Sequence, residues 1–184
     1  MVLLFTEFLF YSFVGFVLEV LHARFFRLPG GRKALLFLPL CPVYGIGALL
    51  VLTIPPILRS GPVVLFVAGG LLATLVEYAA SVFYELGTGI RFWDYSQRIG
   101  NLGGRICHLY TFVWGLLALL QVYVFQPVFL HLLERVPAQL AVALFFTFAA
   151  DALVSLWLLS RTGDPDCLMW YRPYRPSPGV TDPM

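Results

Sequence analysis

Charge is what this sequence has least of. Only 12% of its 184 residues are charged, against 60% that are hydrophobic, and the mean hydropathy is +0.85. Soluble domains carry roughly 25% charged residues. A chain this poor in charge cannot wet the surface of a soluble fold, so lipid is its natural solvent. Cysteine is scarce too: Cys41, Cys107 and Cys167 are too few and too scattered for a disulfide framework. The chain opens MVLLFTEFLF, with no Lys or Arg ahead of the first apolar run and no small-residue cleavage site after it. That run is expected to stay as a span rather than be removed as a signal peptide. No internal repeat is visible, so the inverted-repeat signature of many secondary transporters is missing. No Gly-x-x-x-x-Gly-Lys motif exists, which excludes a nucleotide-hydrolysing phosphate loop. No cofactor is called for, and the net charge of +2 gives no reason to expect a nucleic-acid partner.

Long apolar runs are abundant. A helix needs about 20 mostly apolar residues to cross the hydrocarbon core, and such runs cover 2–23, 39–58, 62–86, 106–128 and 138–159. The breaks read RFFRLPGGRK, RSGP, RFWDYSQRIGNLGGR and HLLERVP. The reading is an all-α polytopic transmembrane bundle of about five helices over 1–160, followed by a Pro-rich tail over 161–184. In that tail Trp170, Tyr171 and Tyr174 suit the lipid headgroup level. Five spans put Arg24, Arg27, Arg32, Lys33, Arg91, Arg98, Arg105, Arg161, Arg172 and Arg175 on one side and Arg59 and Arg135 on the other. Ten cations against two predict, by the positive-inside rule, an N-terminus outside and a cytoplasmic C-terminus. Four or six spans would spoil this segregation.

Ionisable side chains within a span are expensive, at roughly 2.5–3.5 kcal/mol each on insertion scales, yet this chain has several and they fall in register. Tyr11, Ser12, Gly15, Glu19 and His22 share about 100° of arc on the first span, and Thr74, Glu77, Tyr78, Ser81 and Glu85 share a similar arc on the third. Cys107, Tyr110, Thr111, Trp114 and Gln121 form a stripe on the fourth, and Thr147, Asp151 and Ser155 one on the fifth. The pattern predicts a bundle with a polar interior. On the predicted topology Glu19, His22, Cys41, Tyr44, Glu85, Cys107 and Thr111 lie towards the cytoplasm, with Glu77 and Asp151 nearer mid-bilayer. A polar cavity opening to the cytoplasm and floored by Glu77 is expected. Interhelical hydrogen bonding without any ligand would produce the same stripes and stands as the alternative. Glu7, near the outer interface, is expected to be solvated.

Two stretches should be irregular. Pro39 and Pro42 bracket Cys41 and disfavour a regular helix, which predicts a re-entrant or broken start to span two. Gly100, Gly103 and Gly104 surround Asn101 ahead of span four, with Arg105 beside them; they form either a backbone anion site or a tight docking turn. Trp93, Asp94, Tyr95 and Arg98 read as an interfacial anchor. A metal site drawing on Cys41, Cys107, His22 and His108 lacks tight ligand spacing and is not expected.

At these residues the sequence resembles the putative ABC-transporter type IV family of small bacterial membrane proteins. The likeness runs through Tyr11-Ser12-Phe13, Gly15, Glu19, Cys41-Pro42-Val43-Tyr44-Gly45, Thr74, Glu77-Tyr78, Ser81 and Glu85. It continues in Trp93-Asp94-Tyr95-Ser96, Asn101, Gly104-Arg105-Ile106-Cys107 and Trp114-Gly115. Departures from the family pattern are Phe16, Leu38, Phe92 and His108, none of which removes a carboxylate. The resemblance implies a multi-pass protein of the bacterial cytoplasmic membrane with a transport-related role, and names no substrate.

The expected ligand-binding set is Glu19, Glu77, Tyr44, Tyr78, Ser81, Glu85, Asp94, Asn101, Arg105 and Trp114. Glu19 and Glu77 would hold a cation, a proton or a small polar ligand in a permease or channel-like protein, while Arg105 and Asn101 would hold the loop or an anionic group. The expected partners are membrane lipid, a second copy and a partner transporter subunit. Two other readings remain open: a membrane enzyme using these carboxylates as acid–base groups on a lipid-like substrate, and a membrane scaffold.

Overall fold

The computed structural model describes residues 1–27 and 33–169. Arg32, Trp170, Tyr171, Arg172, Tyr174 and Arg175, which entered the expectations above, lie outside them. Among the described residues the elements are α1 (Val2–Phe25), α2 (Pro42–Leu52), α3 (Pro56–Arg59), α4 (Pro62–Thr88), α5 (His108–Leu120), a π turn (Gln121–Phe125), α6 (Gln126–Leu133), α7 (Ala138–Thr162) and a 3-10 turn (Pro165–Leu168). Four helical stretches are long and apolar enough to cross a membrane: Val2–Phe25, Pro62–Thr88, His108–Leu133 and Ala138–Thr162.

The second span is shorter than the expected 39–58. The helix starts at Pro42 rather than 39, ends at Leu52 rather than 58, and has only 11 residues. Pro42 occupies the first helical turn, where its missing N–H leaves nothing unsatisfied. Pro55 and Pro56 stop any continuation and open the single turn of α3. Ahead of Pro42 the chain is unwound yet buried, with Ala34, Leu35 and Leu36 only 2–3% exposed. The unwound stretch reaches the depth of the helix middles: the Cys41 N–H donates to the Ser12 carbonyl at 2.9 Å. Asp151 on α7 accepts from the Phe37 N–H at 3.2 Å and the Leu38 N–H at 3.0 Å. Backbone amides at this depth have no water, so irregular chain survives only where protein satisfies it. The broken start to span two is therefore present, and Asp151 holds it.

Close packing of α1 on α2 requires glycine at two places. A Cβ on Gly15 would overlap the Tyr44 ring, and one on Gly45 would overlap Ser12 Oγ and the Phe8 carbonyl. On the other side α2 lies against α4, and α4 against α5, where Thr74 Oγ1 donates to Thr111 Oγ1 at 3.0 Å. The π turn precedes Pro127, whose ring cannot pass an ordinary i−4 carbonyl. The Gln126 N–H bonds instead to the Gln121 carbonyl, five residues back. After α7 the chain folds back, and Leu168 and Met169 are 1–2% exposed against the cluster of Ala34, Leu35, Tyr84, Ile90 and Leu159.

These contacts set the ends of the bundle. The C-terminal ends of α1, α4 and α7 and the N-terminal end of α5 gather with the loop at 89–107. Arg24, Arg27, Lys33, Arg91, Arg98, Arg105 and Arg161 all belong to this cation-rich end, with Lys33 Nζ donating to the Arg91 carbonyl at 3.1 Å. Arg59 and Arg135 belong to the far end, where Tyr123 Oη donates to the Arg59 carbonyl at 2.7 Å.

Candidate functional site

Glu77 sits in the middle of α4, 4% exposed. Its two oxygens are taken by different elements: Tyr95 Oη donates to Oε1 at 2.9 Å and Trp114 Nε1 to Oε2 at 2.9 Å. Trp114 comes from α5, one helix away. Tyr95 comes from the 89–107 loop, outside the helices altogether, and its ring stacks on Tyr110 with centroids 4.7 Å apart. Burial first, and then the nearby Glu77 charge, push the Tyr95 phenol well above its usual pKa, so it stays a donor. The Tyr110 hydroxyl in turn lies 3.3 Å from His22 Nε2, tying α5 to α1.

One helical turn or two beyond Glu77, the loop is clamped to α4 by charge. Arg105 Nη1 donates to Ser81 Oγ at 3.0 Å, and Arg105 Nη2 and Arg91 Nε pair with Glu85 at 2.5 and 3.1 Å. Trp93 Nε1 donates to the Arg105 carbonyl at 2.9 Å, fixing the two arms of the loop together. Asn101 donates to the carbonyls of Ser96 and Arg98 and accepts from the Gly104 N–H. Of the two readings of this glycine-rich stretch, the geometry is that of the tight docking turn. Asp94 Oδ1 accepts from the Ser96 N–H at 2.9 Å, and this bond, followed by the Ser96 side chain and the Arg91 charge, holds its carboxyl below the usual range. Asp94 and Asn101 thus shape the loop.

On the other flank Glu19 is half-buried, and the Cys41 thiol donates to its Oε1 at 3.5 Å. The Tyr44 ring meets Trp114 edge-on at 4.9 Å. Between α1, α2, α4 and α5 lies a cavity of about 50 Å³ lined by Tyr11, Tyr44, Gly47, Ala48, Trp114 and Gln121 among others. Glu19 and Glu77 are not among its lining residues.

Most of the stripes face inward as their spacing predicts, with two exceptions. Tyr78 is 37% exposed, because its position lies at the edge of the polar arc of α4 opposite Glu77. Thr147 is exposed as well, its hydroxyl returned to the Ala143 carbonyl. Glu7 is also corrected: far from solvated, it is 4% exposed and accepts from Gln126 Nε2 at 2.5 Å, while Tyr11 Oη donates to Gln126 Oε1 at 2.6 Å. Gln126 was not singled out by sequence; a lone amide beside a proline carries no periodic signal. The interfacial position expected for Tyr95 is not what the structure shows, since its hydroxyl enters the bundle.

Helices of membrane-crossing length, an unwound second span and carboxylates buried among them define a polytopic α-helical membrane protein. The model of the putative ABC-transporter type IV family matches residues 6–156, and the chain belongs to that family. The match runs well beyond the stretch that carried the resemblance, into α7. No curated protein and no solved structure matches the chain.

Proposed function

We propose that this chain is a transport protein of the bacterial cytoplasmic membrane, permease or channel-like, that holds a cation, a proton or a small polar ligand at Glu77. The N-terminus is outside and the cation-rich end is cytoplasmic, in keeping with the positive-inside rule. The carrying observation is the pair of donors on Glu77. One belongs to the neighbouring helix, but the other, Tyr95, belongs to the connecting loop at the cation-rich end, and on this reading that loop lifts to uncover the carboxylate. A carboxylate is an expensive way to accept two hydrogen bonds in lipid when a neutral amide or carbonyl would serve. Glu19, half-buried on α1 and bonded to the Cys41 thiol, is the second carboxylate of the site. Ser81, Glu85 and Arg105 latch the loop, with Asp94 and Asn101 shaping it and Tyr44 and Trp114 closing the inner side. Lipid, a second copy or a partner transporter subunit would cover the outer flanks of the helices.

The test is uptake or binding of a proton or small organic cation by the purified chain in proteoliposomes. Glu77→Gln and Glu19→Gln should each abolish it, and unchanged uptake in both would end the proposal. One observation favours a scaffold role instead: Glu77, Glu85 and Asp151 all find partners within the chain. On that reading Glu77→Gln lowers thermal stability and no uptake depends on it.

A further inference from the structure

The far end of the bundle carries a buried carboxylate that the site above does not use. Glu7 lies one helical turn before Tyr11 on the same face of α1, and both are bound to the Gln126 amide. The amide is delivered by the π turn, which shifts α6 relative to α5 so that Gln121 and Gln126 both serve the interior. Gln121 Nε2 donates to the Ala48 carbonyl at 2.9 Å. Short π segments inside α-helices recur at functional sites.

Tyr11 is also a wall of the 50 Å³ cavity, and Trp114, whose N–H holds Glu77, is another. Neither Glu7 nor Glu77 lines the cavity: the Gln126 amide joins Glu7 to the Tyr11 wall on one side, and the Trp114 wall joins Glu77 and, beyond it, Tyr95 on the other. We propose that Glu7 is a second proton-binding site, and that Glu7 and Glu77 are the outer and inner stations of a path for protons across this protein. The inference rests on the reading of Glu77 given above and narrows its ligand to the proton. Size and chemistry both select it. A water molecule needs about 10–15 Å³ of such space, so the cavity of about 50 Å³ has room for a few waters. A calcium or magnesium ion would need about six oxygen ligands; the walls offer hydroxyl, amide and indole groups among Val14, Leu18, Val43 and Leu117.

Only O–H bonds are made and broken. A proton accepted by the Glu7 carboxylate from the outer side leaves it for water in the cavity, past the Tyr11 hydroxyl. It then joins the Glu77 carboxylate and leaves to the cytoplasm when Tyr95 moves off. Gln126 positions Glu7 and Tyr11 and carries no proton, and Trp114 is the gate between the cavity and Glu77.

The experiment is proton flux into liposomes holding the purified full chain, a trapped pH-sensitive dye and a potassium potential set with valinomycin. Wild-type flux should stand clear of empty liposomes. Glu7→Gln and Glu77→Gln should each lower it by roughly a hundredfold, the scale on which acid–base groups contribute. Gly47→Val should do the same by filling the cavity; a Cβ there meets nothing nearer than Ala73 Cβ at 3.8 Å. Glu134→Gln, a more exposed carboxylate at the same end, should leave flux intact. If Glu7→Gln does not fold, Tyr11→Phe and Gly47→Val carry the test. Flux lost with Glu77→Gln but kept with Glu7→Gln and Gly47→Val overturns the path and leaves the Glu77 site standing. Flux kept with Glu77→Gln overturns the path, and organic-cation uptake kept in the same variant overturns the Glu77 site as well. A wild type no faster than empty liposomes overturns the path, while organic-cation uptake still decides the Glu77 site.

Discussion

Tyr95 and Glu77 belong to different parts of the molecule, a connecting loop and the middle of a membrane-length helix, yet they meet at 2.9 Å. The loop can reach that far because Arg105 and Arg91 pull it onto Glu85 and because Asn101 and Gly104 turn it back on itself. The contact turns an ordinary connection at the cation-rich end into a cover over the most buried acid of α4. Removing the hydroxyl should loosen the cover without disturbing the helices. Tyr95→Phe forfeits a hydrogen bond to a carboxylate, worth about 1.5–3 kcal/mol. Amide hydrogen exchange in 91–107 should then accelerate by more than about tenfold while exchange in α1 and α4 stays as it was. Loop exchange unchanged in the variant would show that Tyr95 does not hold the cover shut.

Asp151 supports a different segment. It is the acceptor for the Phe37 and Leu38 amides and for Ser155 Oγ. Asp151→Ala leaves two backbone donors at depth without partners, at about 1–3 kcal/mol each. The thermal midpoint in detergent should fall sharply. Asp151→Asn, which keeps one acceptor oxygen, should fall less, and Ser155→Ala least. Equal stability of the Ala and Asn variants would show that the carboxylate is not what holds the unwound stretch.

The contrast between two glycines of α2 tests how tightly this helix is seated. A Cβ on Gly45 would collide with the Phe8 carbonyl, which is backbone and cannot swing away, whereas Gly47 has ordinary room towards Ala73. Gly45→Ala should destabilise by about 1–3 kcal/mol, as overpacking does. Gly47→Ala should be close to neutral or slightly stabilising, since alanine is the better helix former. Comparable melting of the two variants would mean that α2 sits further from α1 than described.

Much of this was legible in sequence because membrane physics leaves few options. Apolar length gave four of the helical spans within a few residues, and the two prolines around Cys41 signalled the broken second span. The in-register spacing of Glu77, Ser81 and Glu85 with Thr74 placed them on an inward face. Tyr78 sits one residue from Glu77, and a periodic reading at about 100° per residue cannot decide whether such an edge position turns in or out. The end of α2 was misplaced because hydropathy does not register that Pro55 and Pro56 supply no N–H. Glu7 was misread because its depth was judged from distance along the chain, whereas its burial comes from Gln126, brought there by a π turn that periodicity does not reveal. Tyr95 was missed because loops have no period at all, so nothing local says which side chain folds inward.

Asp94 has a folded pKa below its unfolded value near 3.9 because the Ser96 N–H, its hydroxyl and then Arg91 favour the carboxylate. The sign follows from linkage: the stabilisation is complete above the unfolded value and drains away as pH falls through the lower, folded one. Limited proteolysis of 91–107 should therefore be slow near neutrality and speed up once pH drops below about 4, using an acid-active protease. Asp94→Asn cannot gain or lose a charge, so it should cleave faster than wild type at neutral pH and show a shallower acid dependence. Glu85 faces Arg91 and Arg105 from α4 and supplies the dependence that remains. An acid profile identical in wild type and Asp94→Asn would assign the whole effect to Glu85 and leave Asp94 no part in holding the loop.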